Sequence, residues 1–120
     1  MPGARVDSIV VYTTRVEACR EFYAGLGLEF TRERHGKGHE HYAAVLDGGG
    51  VFEIYPATPA RVTGALRIGL VVEGTGLPPG RRTLRDPDGR TVVVGPPEAV
   101  APEGVAPEVV APEGVTPEAR

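Results

Sequence analysis

The chain has no tryptophan, one cysteine, one methionine, one lysine and three histidines, and aromatic residues make up only 6% of it. A single cysteine, Cys19, excludes an internal disulfide. Placed among helix-forming residues, it reads as a small buried filler rather than a nucleophile. No apolar run is long enough to span a bilayer, which takes roughly 20 residues. The opening Met1-Pro2-Gly3-Ala4-Arg5-Val6-Asp7 lacks the apolar centre of a signal peptide, so the expected location is the cytoplasm. Charge of one sign is also missing. The net charge is −3, and five of the sixteen acidic residues but one of the thirteen basic ones fall from Pro96 onward, leaving the body close to neutral. A nucleic-acid surface needs a concentrated basic face, and there is none to be read here.

What is present is the material of one small domain. The 120 residues are 41% hydrophobic and 24% charged, with 17 glycines and 12 prolines. Residues 1–95 carry the alternating and helical patterns of a folded body. Residues 96–120 repeat a five-residue unit, from Pro97-Glu98-Ala99-Val100-Ala101 to Pro117-Glu118-Ala119-Arg120. Proline at every fifth position forbids a regular helix and interrupts a strand ladder, so this tail is expected to be extended and disordered.

Within the body, Val6 to Tyr12 is a short β-branched run and predicts a strand. Thr14-Arg15-Val16-Glu17 has the form of a capping box, with Thr14 capping a helix and Glu17 reaching back. Val16, Cys19, Phe22, Tyr23 and Leu26 then follow at helical spacing, and Gly25 and Gly27 supply the stop. Strands are predicted over Leu28 to His35, His39 to Leu46 and Val51 to Tyr55. Gly36-Lys37-Gly38 and Asp47-Gly48-Gly49-Gly50 separate them, which predicts antiparallel pairing. A further strand is expected over Leu66 to Val72. The next segment, Glu73 to Gly80, is too rich in Gly and Pro for a helix. Strands over Arg81 to Arg85 and Arg90 to Val94 flank the turn Asp86-Pro87-Asp88-Gly89. The second half thus reads as a copy of the first that has lost its helix.

Three stretches resemble one superfamily. Glu21-Phe22-Tyr23-Ala24-Gly25-Leu26-Gly27-Leu28-Glu29-Phe30 is similar to its helix-end signature. Val51-Phe52-Glu53-Ile54-Tyr55-Pro56 resembles its fourth strand, and Arg85-Asp86-Pro87-Asp88-Gly89-Arg90 the turn before its last one. This is the vicinal-oxygen-chelate superfamily of glyoxalases, bleomycin-resistance proteins and extradiol dioxygenases. Arg34 to Ala43 resembles a glyoxalase-like branch of it. The resemblance spans residues 5 to 95 with a deletion near 73–80. It implies an α+β fold: a βαβββ module, then a truncated second module lacking its helix, with a curled mixed sheet forming an open cup. Members bind small molecules in the cup, are commonly dimeric, and in the enzymes hold a divalent metal there.

Carried over by position, the family's ligand places fall on Ser8, Glu53, Arg67 and Val93. Of these, Glu53 alone is an ordinary metal ligand, since a guanidinium cannot deprotonate and valine has no donor atom. The expectation is a cup without the family metal or any other cofactor. In it Ser8, Tyr12, His41, Tyr42, Glu53, Tyr55 and Arg67 line a site for a small molecule, aromatic or anionic. Arg67 would either pair with Glu53 or grip an anionic ligand. Glu53 is the candidate for any catalytic role. An alternative metal set is His39, His41 and Glu53, because His39 and His41 share a strand face and Glu53 lies on the next strand. The hairpin register that would unite them is not decided by the turn sequence. Three functions stay open: a small-molecule-binding protein, a metal-dependent lyase, isomerase or dioxygenase, and a domain acting in protein association only.

Overall fold

The computed structural model describes residues 3–73 and 80–96. Its elements run β1 (Ser8–Thr13), α1 (Val16–Gly25), β2 (Phe30–Glu33), β3 (His41–Val45), β4 (Val51–Pro56), β5 (Arg67–Val71), β6 (Arg82–Arg85) and β7 (Thr91–Gly95). The tail expected over residues 96–120 lies outside the described residues except for Pro96, and so do residues 74–79 of the Glu73–Gly80 stretch where no helix was expected.

The helix crossover brings β1 alongside β4 in parallel, while the two glycine turns fold β2, β3 and β4 into an antiparallel meander. The four-stranded sheet therefore has the order β1-β4-β3-β2. A second sheet has the order β5-β7-β6, with β5 parallel and β6 antiparallel to β7. The pairings β5-β7-β6 repeat β1-β4-β3. Among the described residues the second module shows neither a helix nor a counterpart of β2, and most of the stretch between β5 and β6, where no helix was expected, lies outside them. The two sheets share no ladder among the described residues, and no barrel is closed.

Both sheets turn one face to a single core. Val11 from β1, Phe52 and Ile54 from β4, Ile68 from β5 and Val92 and Val94 from β7 join Cys19, Tyr23 and Leu26 of the helix segment. Tyr23 makes edge-to-face contacts with Phe22 and Phe52, at ring centroid distances of 5.0 and 4.8 Å. The second sheet thus rests on the first module's helix, which serves both halves.

The helix stops where the glycines predict. Leu28 N–H bonds to the Tyr23 carbonyl and Gly27 N–H to that of Ala24, with Gly27 at φ 112°. This is the Schellman arrangement, which needs a residue that tolerates the left-handed region. Its start differs from the expected capping box. The N-cap is Arg15, with no side-chain cap, and the Thr13 hydroxyl accepts the Arg15 N–H at 2.9 Å. The Glu17 carboxylate turns outward instead, accepting bonds from Arg20 and from the Tyr42 hydroxyl on β3. Those two donors outcompete the backbone amide, and together they hold Glu17 below the usual carboxylate range.

The Asp86 turn is a buried polar joint. Asp86 and Arg90 are 4% and 3% exposed. The Asp86 carboxylate accepts bonds from the Tyr23 hydroxyl (2.7 Å), the Arg90 guanidinium (2.9 Å) and the amides of Asp88 and Arg90 (2.9 and 3.0 Å). Arg90 also donates to the Thr63 carbonyl, and Thr63 bonds in turn to the Tyr12 backbone on the free edge of β1. One turn thereby ties together the second sheet, the helix and the 57–66 loop.

Candidate functional site

Strand alternation decides which residues can meet. Ile9, Val11, Phe52 and Ile54 point to the core, so Ser8, Val10, Tyr12, Glu53 and Tyr55 occupy the open face of the first sheet. The turn after β3 closes through bonds between Leu46 and Gly50 and between Gly49 and Leu46, which pairs Val45 with Val51 and Ala43 with Glu53. This register, which the sequence left open, puts His41 opposite Tyr55. The neighbouring ladders put Glu33 opposite His41 and Tyr12 opposite Tyr55. The open face accordingly carries a row of Tyr12, Tyr55, His41 and Glu33 across all four strands.

That row is in close contact. The His41 and Tyr55 rings stack at 4.0 Å with planes 7° apart, and Tyr12 leans on Tyr55 at 5.6 Å. His35 covers the other side of His41, at 5.2 Å, and leaves it 1% exposed. The His41 Nδ1 faces the His39 carbonyl at 3.2 Å. Its Nε2 faces Glu33 Oε1 at 3.3 Å and Glu53 Oε2 at 3.5 Å without a hydrogen-bond partner. Burial, then the neighbouring Glu53 charge, pushes the Tyr55 hydroxyl above its usual range. At the far end of the row, Arg61 donates to the Tyr12 hydroxyl at 3.3 Å.

Several expected site residues fall elsewhere. Tyr42 pairs with Ile54, which turns it to the helix side, where its ring packs near Phe30 and Arg20 and its hydroxyl binds Glu17. It cannot line the open face, because alternation gives that face to His41 and Ala43. Arg67 does lie on the open side of β5, opposite Ile68, but it is exposed and forms no ion pair with Glu53 among the described residues. The two belong to separate sheets. His39 precedes β3, and its carbonyl, not its exposed ring, meets His41. The set His39, His41 and Glu53 is therefore replaced by Glu33, His35 and His41, whose donor atoms all lie within 4.8 Å of one another, with Glu53 beside them. Ser8 is exposed and sits opposite Val51, four residues along the strands from the His41 row. At about 3.3 Å per residue that is roughly 13 Å, so Ser8 and His41 form no nucleophile pair.

The family metal position is not fitted by these residues. Glu53 has Val10 and Ala43 as its neighbours across the sheet, and the other family positions hold Ser8, Arg67 and Val93. Glu33 and His35 were the site residues that pattern reading passed over. A signal for Glu33 existed, since 33 and 41 lie equally far from Lys37 at the centre of the turn.

No family model matches the chain, and no curated protein does. Solved structures do match it. An antibiotic binding protein from Streptomyces sp. CB03234, TnmS3, superposes with a TM-score of 0.57 at 18% identity, covering 81% of this chain and 98% of that one. A possible glyoxalase from Bacillus cereus gives 0.52 at 15% identity over 78% of this chain and 99% of that one. The oxidase ChaP-H2 gives 0.51 at 11% identity over 76% and 91%. With the strand pairings above, these likenesses show that the chain has the vicinal-oxygen-chelate fold, with a four-stranded and a three-stranded sheet among the described residues.

Proposed function

We propose that this chain is a small-molecule-binding protein that uses the open face of its first sheet and has no metal at the family position. The observation that supports this most is the wall of Tyr12, Tyr55 and His41, with two rings stacked at 4.0 Å, beside the carboxylate of Glu53. Tyr12 and Tyr55, backed by the buried His41 ring, offer π-surface to a planar aromatic ligand, while Glu53 and the tyrosine hydroxyls offer hydrogen bonds that orient it. An anionic substituent would be met by Arg61 at the Tyr12 end. The structural likeness to an antibiotic binding protein supports the binding of a small molecule.

In this reading the protein acts in the cytoplasm as a homodimer, with the partner subunit closing the cup. Exposed apolar residues support the association: Val45 is 77% and Val71 54% exposed, both on the open side of their strands. Among the described residues, no helix is long and apolar enough to cross a membrane. The competing enzyme reading, a metal-dependent lyase, isomerase or dioxygenase, now rests on Glu53 and His41 alone of its expected residues.

The test is a thermal-shift panel of planar aromatic antibiotics and small aromatic carboxylates on the full chain. At a hundredfold excess over Kd, a ligand of the folded state adds about 2.7 kcal/mol, a shift easily seen. Tyr55→Ala should remove the shift. A panel that stabilises nothing, or stabilises Tyr55→Ala equally, refutes the assignment.

A further inference from the structure

We propose that Glu33, His35 and His41 form a binding site for a divalent transition-metal ion, a ligand set that includes none of the family's metal positions. The case starts with the His41 ring. Its Nδ1 faces the His39 carbonyl, an acceptor, which favours the tautomer with the proton on Nδ1. In the neutral ring the Nε2 then presents a bare lone pair. That lone pair is buried, has no hydrogen-bond partner, and looks at two carboxylates, which also only accept. Three electron-rich groups facing one point repel each other unless something positive sits between them. Neither Glu33 nor Glu53 has an Arg or Lys partner among the described residues to supply that charge.

The spacing suits a metal ion. Zinc–nitrogen and zinc–carboxylate bonds of about 2.0–2.1 Å in a tetrahedron set neighbouring donors about 3.3 Å apart. Glu33 Oε1 lies 3.3 Å from His41 Nε2 and 3.4 Å from His35 Nε2. All three donors lie within 4.8 Å, so a small rotation of the exposed His35 ring completes the set. The other two ligands are held firmly. Glu33 and His41 are directly paired across β2 and β3, and His41 is clamped by Tyr55 and by the His39 carbonyl. A carbonyl bond to the distal ring nitrogen is the device that orients metal-binding histidines. Two imidazoles and one carboxylate match zinc, nickel, copper or ferrous iron rather than calcium or magnesium. The exposed His35 side chain leaves this group reachable from solvent, with the Glu53 carboxylate also beside it.

The experiment is a zinc titration of the full chain, stripped with EDTA and dialysed, in competition with a chromophoric chelator at pH 8. One Zn²⁺ per chain is expected. His35→Ala and Glu33→Gln should each weaken it at least about tenfold. His39→Ala should bind like the unaltered chain, because only the His39 backbone is involved. Both altered ligands are at least partly exposed, and melting curves in EDTA will show that the variants fold. Nitrogen-15 spectra give a second readout: zinc should shift the His41 Nε2 resonance and leave the Nδ1 protonated. The proposal is overturned if zinc does not bind, if His39→Ala weakens binding as much as His35→Ala does, or if both His41 nitrogens carry protons in the zinc-treated protein. Zinc binding and the response to aromatic probes are separate readouts, so either proposal can fail while the other stands.

Discussion

Replacing Asp86 by alanine strands a guanidinium in the core, and the size of that effect tests the reading of this turn as a structural joint. In the intact chain the Asp86 carboxylate meets four donors: the Tyr23 hydroxyl, the Arg90 guanidinium and the amides of Asp88 and Arg90. Removing one partner of a buried ion pair typically costs about 3–5 kcal/mol. Arg90 keeps Asp88, which is closer to solvent, as a second carboxylate partner at 2.9 Å, and that moderates the loss. The Tyr23 hydroxyl, fully buried, loses its acceptor as well, which costs about 1–3 kcal/mol and overlaps with the first figure. The expected loss is therefore about 4 kcal/mol, a large part of the roughly 5 kcal/mol typical of the lower end for small domains. Urea unfolding followed by circular dichroism should show a midpoint lower by about 2 M, at a slope of about 2 kcal/mol per molar. Tyr23→Phe removes a single donor and should cost about 1–2 kcal/mol. The double variant should be less destabilised than the two losses added, because both act on one network. A loss under about 1 kcal/mol for Asp86→Ala would refute the reasoning, since it would mean the turn behaves as a solvated surface loop.

Other expectations follow from the same geometry. Burial raises the Asp86 carboxyl pKa, but the bonds from Tyr23 and Arg90 outweigh it and the net shift is downward. A carboxylate whose pKa is depressed on folding contributes stability that is complete above its unfolded value, about pH 4, and is lost as pH falls through the folded value. The unaltered chain should thus lose stability in urea below about pH 4, and Asp86→Ala should lack that part of the loss. Cys19 is fully buried, and its burial pushes the thiol above its ordinary range. It should react with a thiol reagent only at the rate of unfolding, and faster labelling in the native state would contradict its place in the core. Gly50→Ala should destabilise by about 1–3 kcal/mol. The added Cβ would stand 3.0 Å from the Val6 carbonyl oxygen, a backbone atom that cannot swing away, and an unchanged urea midpoint would rule that out.

Local chemistry carried much of the fold. The β-branched and alternating runs, the apolar stripe from Val16 to Leu26 and the glycine stops are short-range signals, and their elements appear within two residues or so of where they were expected. Alternation also assigned faces correctly on β4, where Phe52 and Ile54 turn inward and Glu53 and Tyr55 outward. Tyr42 was expected on the open face together with its sequence neighbour His41, but alternation gives that face to one of the two only, and the pairing of Tyr42 with Ile54 gives it to His41. Glu17 shows another limit: as a capping residue it had a local partner, and a tyrosine from a distant strand took it instead.

By itself, then, the sequence determined the order and kind of the elements among the described residues, because these depend only on residue type and spacing along the chain. Tertiary structure alone decided that His41 stacks on Tyr55, that Glu33 and His35 gather at its Nε2, that Arg67 and Glu53 stay apart on different sheets, and that Asp86 and Arg90 are buried against Tyr23. Those contacts join residues from separate strands, turns and the helix. They are set by hairpin register and by the packing of two sheets on one helix, quantities to which no local stretch of sequence is sensitive.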